Sequence, residues 1–323
     1  MRRAASIARQ MRVSASVQNT LPTENFALQG VAEEGFLAPF GVRHASRQIL
    51  QQRMKSVKNI SKITAAMKMV AASRLRGAQA KAEAAQGIWQ PMTKLLGDTP
   101  GVDVPNNLTV CVSSDRGLCG GVNTNAAKQF RAINSVVSSL GEGEKEFKFA
   151  IIGDKGNALL KKELGDGLKT LVVDATKSGV TFSGASLIAD ELLKIDTDAT
   201  RVVFNKFKSA ISFIPTMSTT LSAEVLEKRA EAEGFMNEYE IEEEDRAPLL
   251  TDLAEFQLAT NLYVGMLENY ASELGSRMSA MDSSTKNAGE MLDKLTLTYN
   301  RSRQAAITTE LIEIISGAAA LEG

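Results

Sequence analysis

Apolar and small residues recur at Leu50, Val57, Ile60, Thr64, Met67, Ala71, Leu75 and Ala78. After Val57 the gaps are 3, 4, 3, 4, 4 and 3, which predicts a helix that buries one narrow seam. A second set runs Leu267, Tyr270, Leu274, Met278, Met281, Ala288, Leu292, Leu295, Tyr299 and Ala306, with the same mixture of threes, fours and sevens. Prolines at 22, 39, 91, 100, 105, 215 and 248 leave 40–90 and 249–323 uninterrupted. Helices of about 45 and 70 residues there would reach about 65 and 105 Å, too long for the interior of a compact domain of this size. The matching seams predict that the two ends of the chain pair as an antiparallel coiled coil. Gly265, Gly275 and Gly289 each cost about 1 kcal/mol relative to alanine without ending the helix, and allow close approach of a neighbour.

Between the two seams the period changes. "LTVCVSSD" (108–115), "FKFAIIGD" (147–154), "LKTLVVD" (168–174), "TRVVFNKFKS" and "AISFIPTMST" (200–219) read as strands, with helical segments at 123–139, 156–165 and 183–194. That alternation predicts an α/β domain with a largely parallel, Rossmann-like sheet and flanking helices. The expected organisation is a targeting segment at 1–44, an N-terminal coiled-coil helix at 45–97, the α/β domain at 106–220, an acidic variable segment at 221–247 and a C-terminal coiled-coil helix at 248–323.

Charge is distributed unevenly. No Asp or Glu occurs between Glu34 and Glu83, while "KITAAMKMVAASRLRGAQAKA" (62–82) carries Lys62, Lys68, Arg74, Arg76 and Lys81. A helix so one-sided repels itself, so it calls for carboxylates from elsewhere. Residues 224–245 hold ten carboxylates against Lys228 and Arg229 and read as a solvated loop or short helix. The net charge of −1 argues against general nucleic-acid binding, and 5% aromatic residues argue against a base-stacking platform.

"MRRAASIARQMRVSASVQNT" is arginine-rich and acid-free, the composition of a mitochondrial targeting segment removed near Arg43 or His44. A bacterial N-terminal tail is the other reading. No apolar run approaches the ~18 residues that a membrane-spanning helix needs.

Candidate chemistry is sparse. The single histidine, His44, and the two cysteines, Cys111 and Cys119, cannot assemble a zinc site or a Ser-His-Asp triad. "SSDRGLCGGVNTN" (113–125) stands where glycine-rich loops cradle phosphates, yet its G-x-x-G-G spacing matches neither nucleotide fingerprint and brings no lysine. A tight turn built on Asp115, Arg116, Gly117, Gly120 and Gly121 is the reading preferred here. The C-terminal end passes from polar Arg301, Arg303 and Gln304 to a helix apolar nearly all round: Ala305, Ala306, Ile307, Leu311, Ile312, Ile314, Ile315, Ala318, Ala319 and Ala320. Such a helix needs surrounding protein or lipid, and an external apolar sleeve meets that need.

Three stretches carry a resemblance: "SVKNISKITAAMKMVAASRLRGAQ", "SSDRGLCGGVNTN" and "RMSAMDSSTKNAGEMLDKLTLTYNRSRQAAITTELIEIISGAAAL". Together, from about Arg47 to Leu321, they resemble the signature stretches of the F-type ATP synthase γ-subunit family, mitochondrial type. The resemblance implies a central rotor shaft that couples proton-driven turning of the c-ring to ATP synthesis on surrounding β subunits. It implies α and β subunits, ε- and δ-type stalk subunits and the c-ring as partners, with no cofactor, no nucleic acid and no membrane-spanning segment of its own. The implied location is the mitochondrial inner membrane, peripheral on the matrix side, and the chain is expected to be non-catalytic by itself.

Residue by residue, the resemblance places Met67, Lys68 and Arg74 against an acidic β loop. Arg303 and Gln304 become polar contacts to β, and Ile307, Leu311, Ile314 and Ile315 the bearing tip. A seam position remains the alternative for Met67. Chloroplast relatives carry an inserted cysteine pair, whereas no cysteine follows Cys119 here. Two rival classes remain at this stage: a nucleic-acid binder using the basic helix, and a purely structural coiled coil.

Overall fold

A computed structural model describes residues 40–140, 145–177, 179–233 and 243–322. The targeting segment lies almost wholly outside the described residues, and so does much of the acidic stretch 224–245. The described residues divide into two compact units, one within residues 58–290 and one of residues 40–57 with 291–322.

Helix α1 spans Phe40–Leu96 and runs past Pro91. It stops at Gly97, whose φ of 78° lies in the left-handed region and whose N–H reaches Thr93 O at 3.0 Å. The alternating region follows as β1 (Asn106–Val112), α2 (Val122–Ser138), β2 (Glu146–Ile152), α3 (Asp154–Leu164), β3 (Leu168–Val172), α4 (Phe182–Leu193), β4 (Ala199–Phe207) and β5 (Phe213–Leu221). A short α5 (Ala223–Glu233) precedes α6 (Glu243–Glu322), which has 80 residues against 57 in α1. Both helices are longer than the proline-free intervals suggest.

The five-stranded sheet has the order β3-β2-β1-β4-β5. The first four strands are parallel, and β5 returns antiparallel to β4 through the tight turn Ser209–Ser212. Central β1 is buried on both sides, as apolar runs in parallel sheets require. Leu108, Val110, Val112, Val202 and Phe204 pack with α4, α6 and the alanines Ala82 and Ala85 of α1. Cys111 and Ile151 face the other way, against Phe130 of α2 and Leu160 of α3. Strand order reverses between β3 and β4, so the right-handed crossover through α4 falls on the face opposite α2 and α3.

Within the larger unit α1 and α6 pair antiparallel on the first of those faces. Thr64 meets Thr285, Leu75 and Ala78 meet Ala271 and Leu274, and Trp89 meets Asn261. Buried positions on α1 are Thr64, Ala71, Leu75, Ala78, Ala82, Ala85 and, at its end, Leu96; from Thr64 to Ala85 they make a strict 3–4 repeat in which Lys68 fills the missing position. This shifts part of the expected seam: Ile60 is 52% exposed and Met67 only half-buried. Hydroxyl and charged side chains hold those seam layers because α6 offers them Thr285 and Asp282.

Close approach of α6 to the sheet relies on glycine. A Cβ on Gly275 would lie 3.1 Å from the backbone oxygen of Ala210. In the smaller unit the half-buried residues of α6 are Leu292, Leu295, Thr296, Tyr299, Ser302, Ala306 and Thr309, which apart from Thr296 continue the 3–4 repeat. From Glu310 to Leu321 every residue is exposed.

Candidate functional site

The turn after β1 is built to cap a helix. Asp154 N donates to Asp115 Oδ1 at 3.1 Å, Lys155 N to Ser114 O at 3.0 Å, and Gly156 N to Ser113 Oγ at 2.9 Å. Three consecutive residues of "SSD" thus satisfy the first three N–H groups of α3, the place where an anion would otherwise sit. Ser114 N and Oγ also bond Asn123 Oδ1 at the start of α2, and Gly120 takes a φ of 60°. Gly153 passes so close that a Cβ there would lie 2.6 Å from Ser113 Oγ and 2.7 Å from Ser113 O. Asp115, Gly117, Gly120 and Gly121 therefore belong to a structural turn. Arg116 and Leu118 project from it, Leu118 being 63% exposed at a φ of 62°.

A sheet of this order leaves a crevice at the carboxyl ends of β1 and β4, the usual ligand position in doubly wound folds. Helix α6 fills it here. Asn205 donates to Asn269 Oδ1 at 3.0 Å, Ser272 Oγ to Asn205 O at 2.9 Å, and Phe207 N to Glu268 Oε2 at 2.8 Å. Glu268 Oε1 also accepts from Gln86 of α1 at 2.9 Å, so one buried carboxylate ties α1, α6 and β4 together. Among the described residues no group of His, Cys, Asp and Glu could hold a metal ion. Both cysteines are buried thiols, and burial pushes Cys111 up to about 12.

An open groove of about 620 Å3 separates the basic face of α1 from this turn. Ile63, Met67 and Val70 form one wall, with Leu118 opposite; Arg74 and Arg116 supply positive charge. Arg277 of α6 closes the end, donating to Glu273 Oε1 at 2.5 Å and to Gly117 O at 3.2 Å. Burial raises the Glu273 carboxyl, and the Arg277 charge opposes that rise.

Lys68 has a partner in its own chain. Its Nζ lies 2.7 Å from Asp282 Oδ1, and Lys286 Nζ lies 2.8 Å from Asp282 Oδ2. Hydrogen bonds from Lys286 and then Lys68 hold the Asp282 carboxyl down at about 2. Sequence reading named Lys68 but missed Asp282 and Lys286. Their i,i+4 spacing was a usable signal for the second pair, while the first depends on helix register, which neither helix states alone.

At the far end of α6, Arg303 and Gln304 are exposed. Ile307, Leu311, Ile314 and Ile315 are 52%, 56%, 71% and 59% exposed, an apolar surface open to water. No helix of the described residues is long and apolar enough to cross a membrane.

Comparison with known proteins adds four findings. A family model described as ATP synthase matches residues 46–321. The chain is 50% identical over 326 residues to the mitochondrial ATP synthase subunit gamma of Ipomoea batatas, covering 99% of each. Among solved structures, one chain of the Euglena gracilis mitochondrial ATP synthase (OSCP/F1/c-ring) aligns with a TM-score of 0.73 at 18% identity, over 86% of this chain and 95% of that one. Another, from the central stalk and c-ring of the Tetrahymena thermophila enzyme, gives 0.54 at 27% identity over 68% and 98%.

Proposed function

The chain belongs to the ATP synthase γ-subunit family, and from that premise we propose that it is the central rotor shaft of a mitochondrial ATP synthase. Its partners are the α and β subunits, the ε- and δ-type stalk subunits and the c-ring. It works at the inner membrane, peripherally on the matrix side. The chain is a component of the synthase; we read it as a non-catalytic one, with nucleotide chemistry left to other subunits. Neither a nucleic-acid role nor a purely structural role is supported by the relatives.

The observation that carries this reading is the exposed apolar end of α6. Ile307, Leu311, Ile314 and Ile315 form one apolar stripe exposed to water, which calls for an apolar partner surface, and a surrounding sleeve supplies one at every angle of the shaft. Apolar contacts lack directional bonds, so a shaft end seated in such a sleeve can turn. A single asymmetric shaft inside a ring of three like sites contacts each site differently at any instant. A ligand that contacts two conformers unequally shifts their populations, and rotation makes the shaft such a ligand for each site in turn.

Met67, Lys68 and Arg74 on α1 face acidic loops of β in this reading, and Arg303 and Gln304 make polar contacts higher on the shaft. The exposure of Arg74 and the groove beside Met67 support that assignment. Each exposed pair contributes only ~0–1 kcal/mol, so these residues modulate torque transfer. The test is reconstitution with α and β subunits and the membrane sector. Met67→Lys should leave ATP hydrolysis running while proton pumping falls, and removal of residues 305–323 should impair assembly with the ring. Unchanged assembly and unchanged pumping would reject the reading.

A further inference from the structure

Among the cations of the basic face, Lys68 stands apart. Lys62, Arg74, Arg76 and Lys81 have no ion-pair partner among the described residues, whereas Lys68 rests on Asp282. Asp282 in turn is held from both sides, Oδ1 by Lys68 and Oδ2 by Lys286. The two lysines use different oxygens, so removal of one leaves the other pair intact. All three side chains are reached by solvent, at 44%, 34% and 72% exposure for Lys68, Asp282 and Lys286. One turn along, Thr64 Oγ1 and Thr285 Oγ1 lie 2.7 Å apart and keep Asp282 opposite Lys68.

We propose that Lys68 is a transferable cation, passed between Asp282 of this chain and a carboxylate of the surrounding catalytic subunit, while Lys286 keeps Asp282 neutralised. The proposal rests on the assignment of the α1 face as the contact with that subunit. Its physical basis is exchange without a deep well. An exposed ion pair contributes little, so trading one carboxylate for another changes the free energy little in either direction. A lysine suits this better than an arginine, because an ammonium on a flexible four-carbon stem turns between acceptors that a rigid guanidinium fork would have to leave. The internal carboxylate therefore competes with the external one and keeps Lys68 from sticking to any one position of the ring.

The experiment uses the full chain reconstituted with α and β subunits, measuring steady-state ATP hydrolysis across a range of ionic strength. Asp282→Asn removes the competitor with little change of shape. It is expected to slow hydrolysis about 2–5-fold at low salt, the range set by an exposed ion pair, and to recover as salt rises. Lys68→Gln should flatten the salt dependence, and in that background Asp282→Asn should add nothing. Asp282→Glu, which retains the charge, should keep the unsubstituted salt profile. Independent, multiplying effects of Lys68→Gln and Asp282→Asn would overturn the hand-over, as would an Asp282→Asn profile that matches the unsubstituted chain. If Lys68→Gln and Met67→Lys both leave hydrolysis and pumping untouched, the contact assignment itself fails, and the hand-over falls with it.

Discussion

Asp115 accepts a hydrogen bond from the N–H of Asp154 at 3.1 Å, so the turn after one strand caps the helix after the next. Loss of such a cap typically costs about 0.5–2 kcal/mol. In urea titration of the isolated chain, Asp115→Ala should lower the unfolding free energy by that amount and move the midpoint down, and Asp115→Asn should do so by less, since its carboxamide oxygen still accepts. An unchanged midpoint for the alanine variant would show that the cap contributes nothing.

Gly153 has no room for a side chain. Its φ of 104° strains any other residue, and the added Cβ would meet the backbone of Ser113 as well as its hydroxyl. Strain of about 1–3 kcal/mol and overpacking of similar size should combine in Gly153→Ala. A thermal melt should show a loss of stability well beyond that of an ordinary surface substitution.

Glu268 bonds Gln86 and Phe207 N from one buried carboxylate. Glu268→Ala leaves both donors without a partner, at about 1–3 kcal/mol for each group that stays buried. Glu268→Gln keeps an acceptor for Phe207 N and should lose less. Denaturant titration of the two variants side by side checks the order.

Acid should weaken the helix pair at Asp282. Its carboxyl is lowered from 3.8 to about 2, so the folded chain binds its proton later than the unfolded chain does. The stabilisation is present above pH 3.8 and is lost as pH falls towards 2. Asp282→Asn should flatten that part of the stability–pH curve. Lys286→Gln should shift the Asp282 titration, followed by carbon-detected NMR, to higher pH.

Much of the fold was legible in the sequence because its signals are local. The strand at 200–209 is marked by the β-branched and aromatic cluster Val202, Val203 and Phe204, and β4 occupies Ala199–Phe207. The 3–4 spacing likewise announced both long helices. What could not be read was register. Met67 looks like a better seam residue than Lys68, until Asp282 is known to lie opposite. The crevice filling was equally hidden, since Glu268, Asn269 and Ser272 sit more than fifty residues along the chain from the strand they close. Pro91 stands in the last turns of α1, where few later residues depend on the helix, so it did not mark the end its type suggests.

Most sheets of this strand order keep an open berth at their carboxyl edge, and a lodger there can come and go. This chain has lodged its own final helix in that berth, through Asn269 and Ser272. A twist applied to the sheet is thereby delivered to α6 through a socket, with no loose joint in between to wind up and dissipate it.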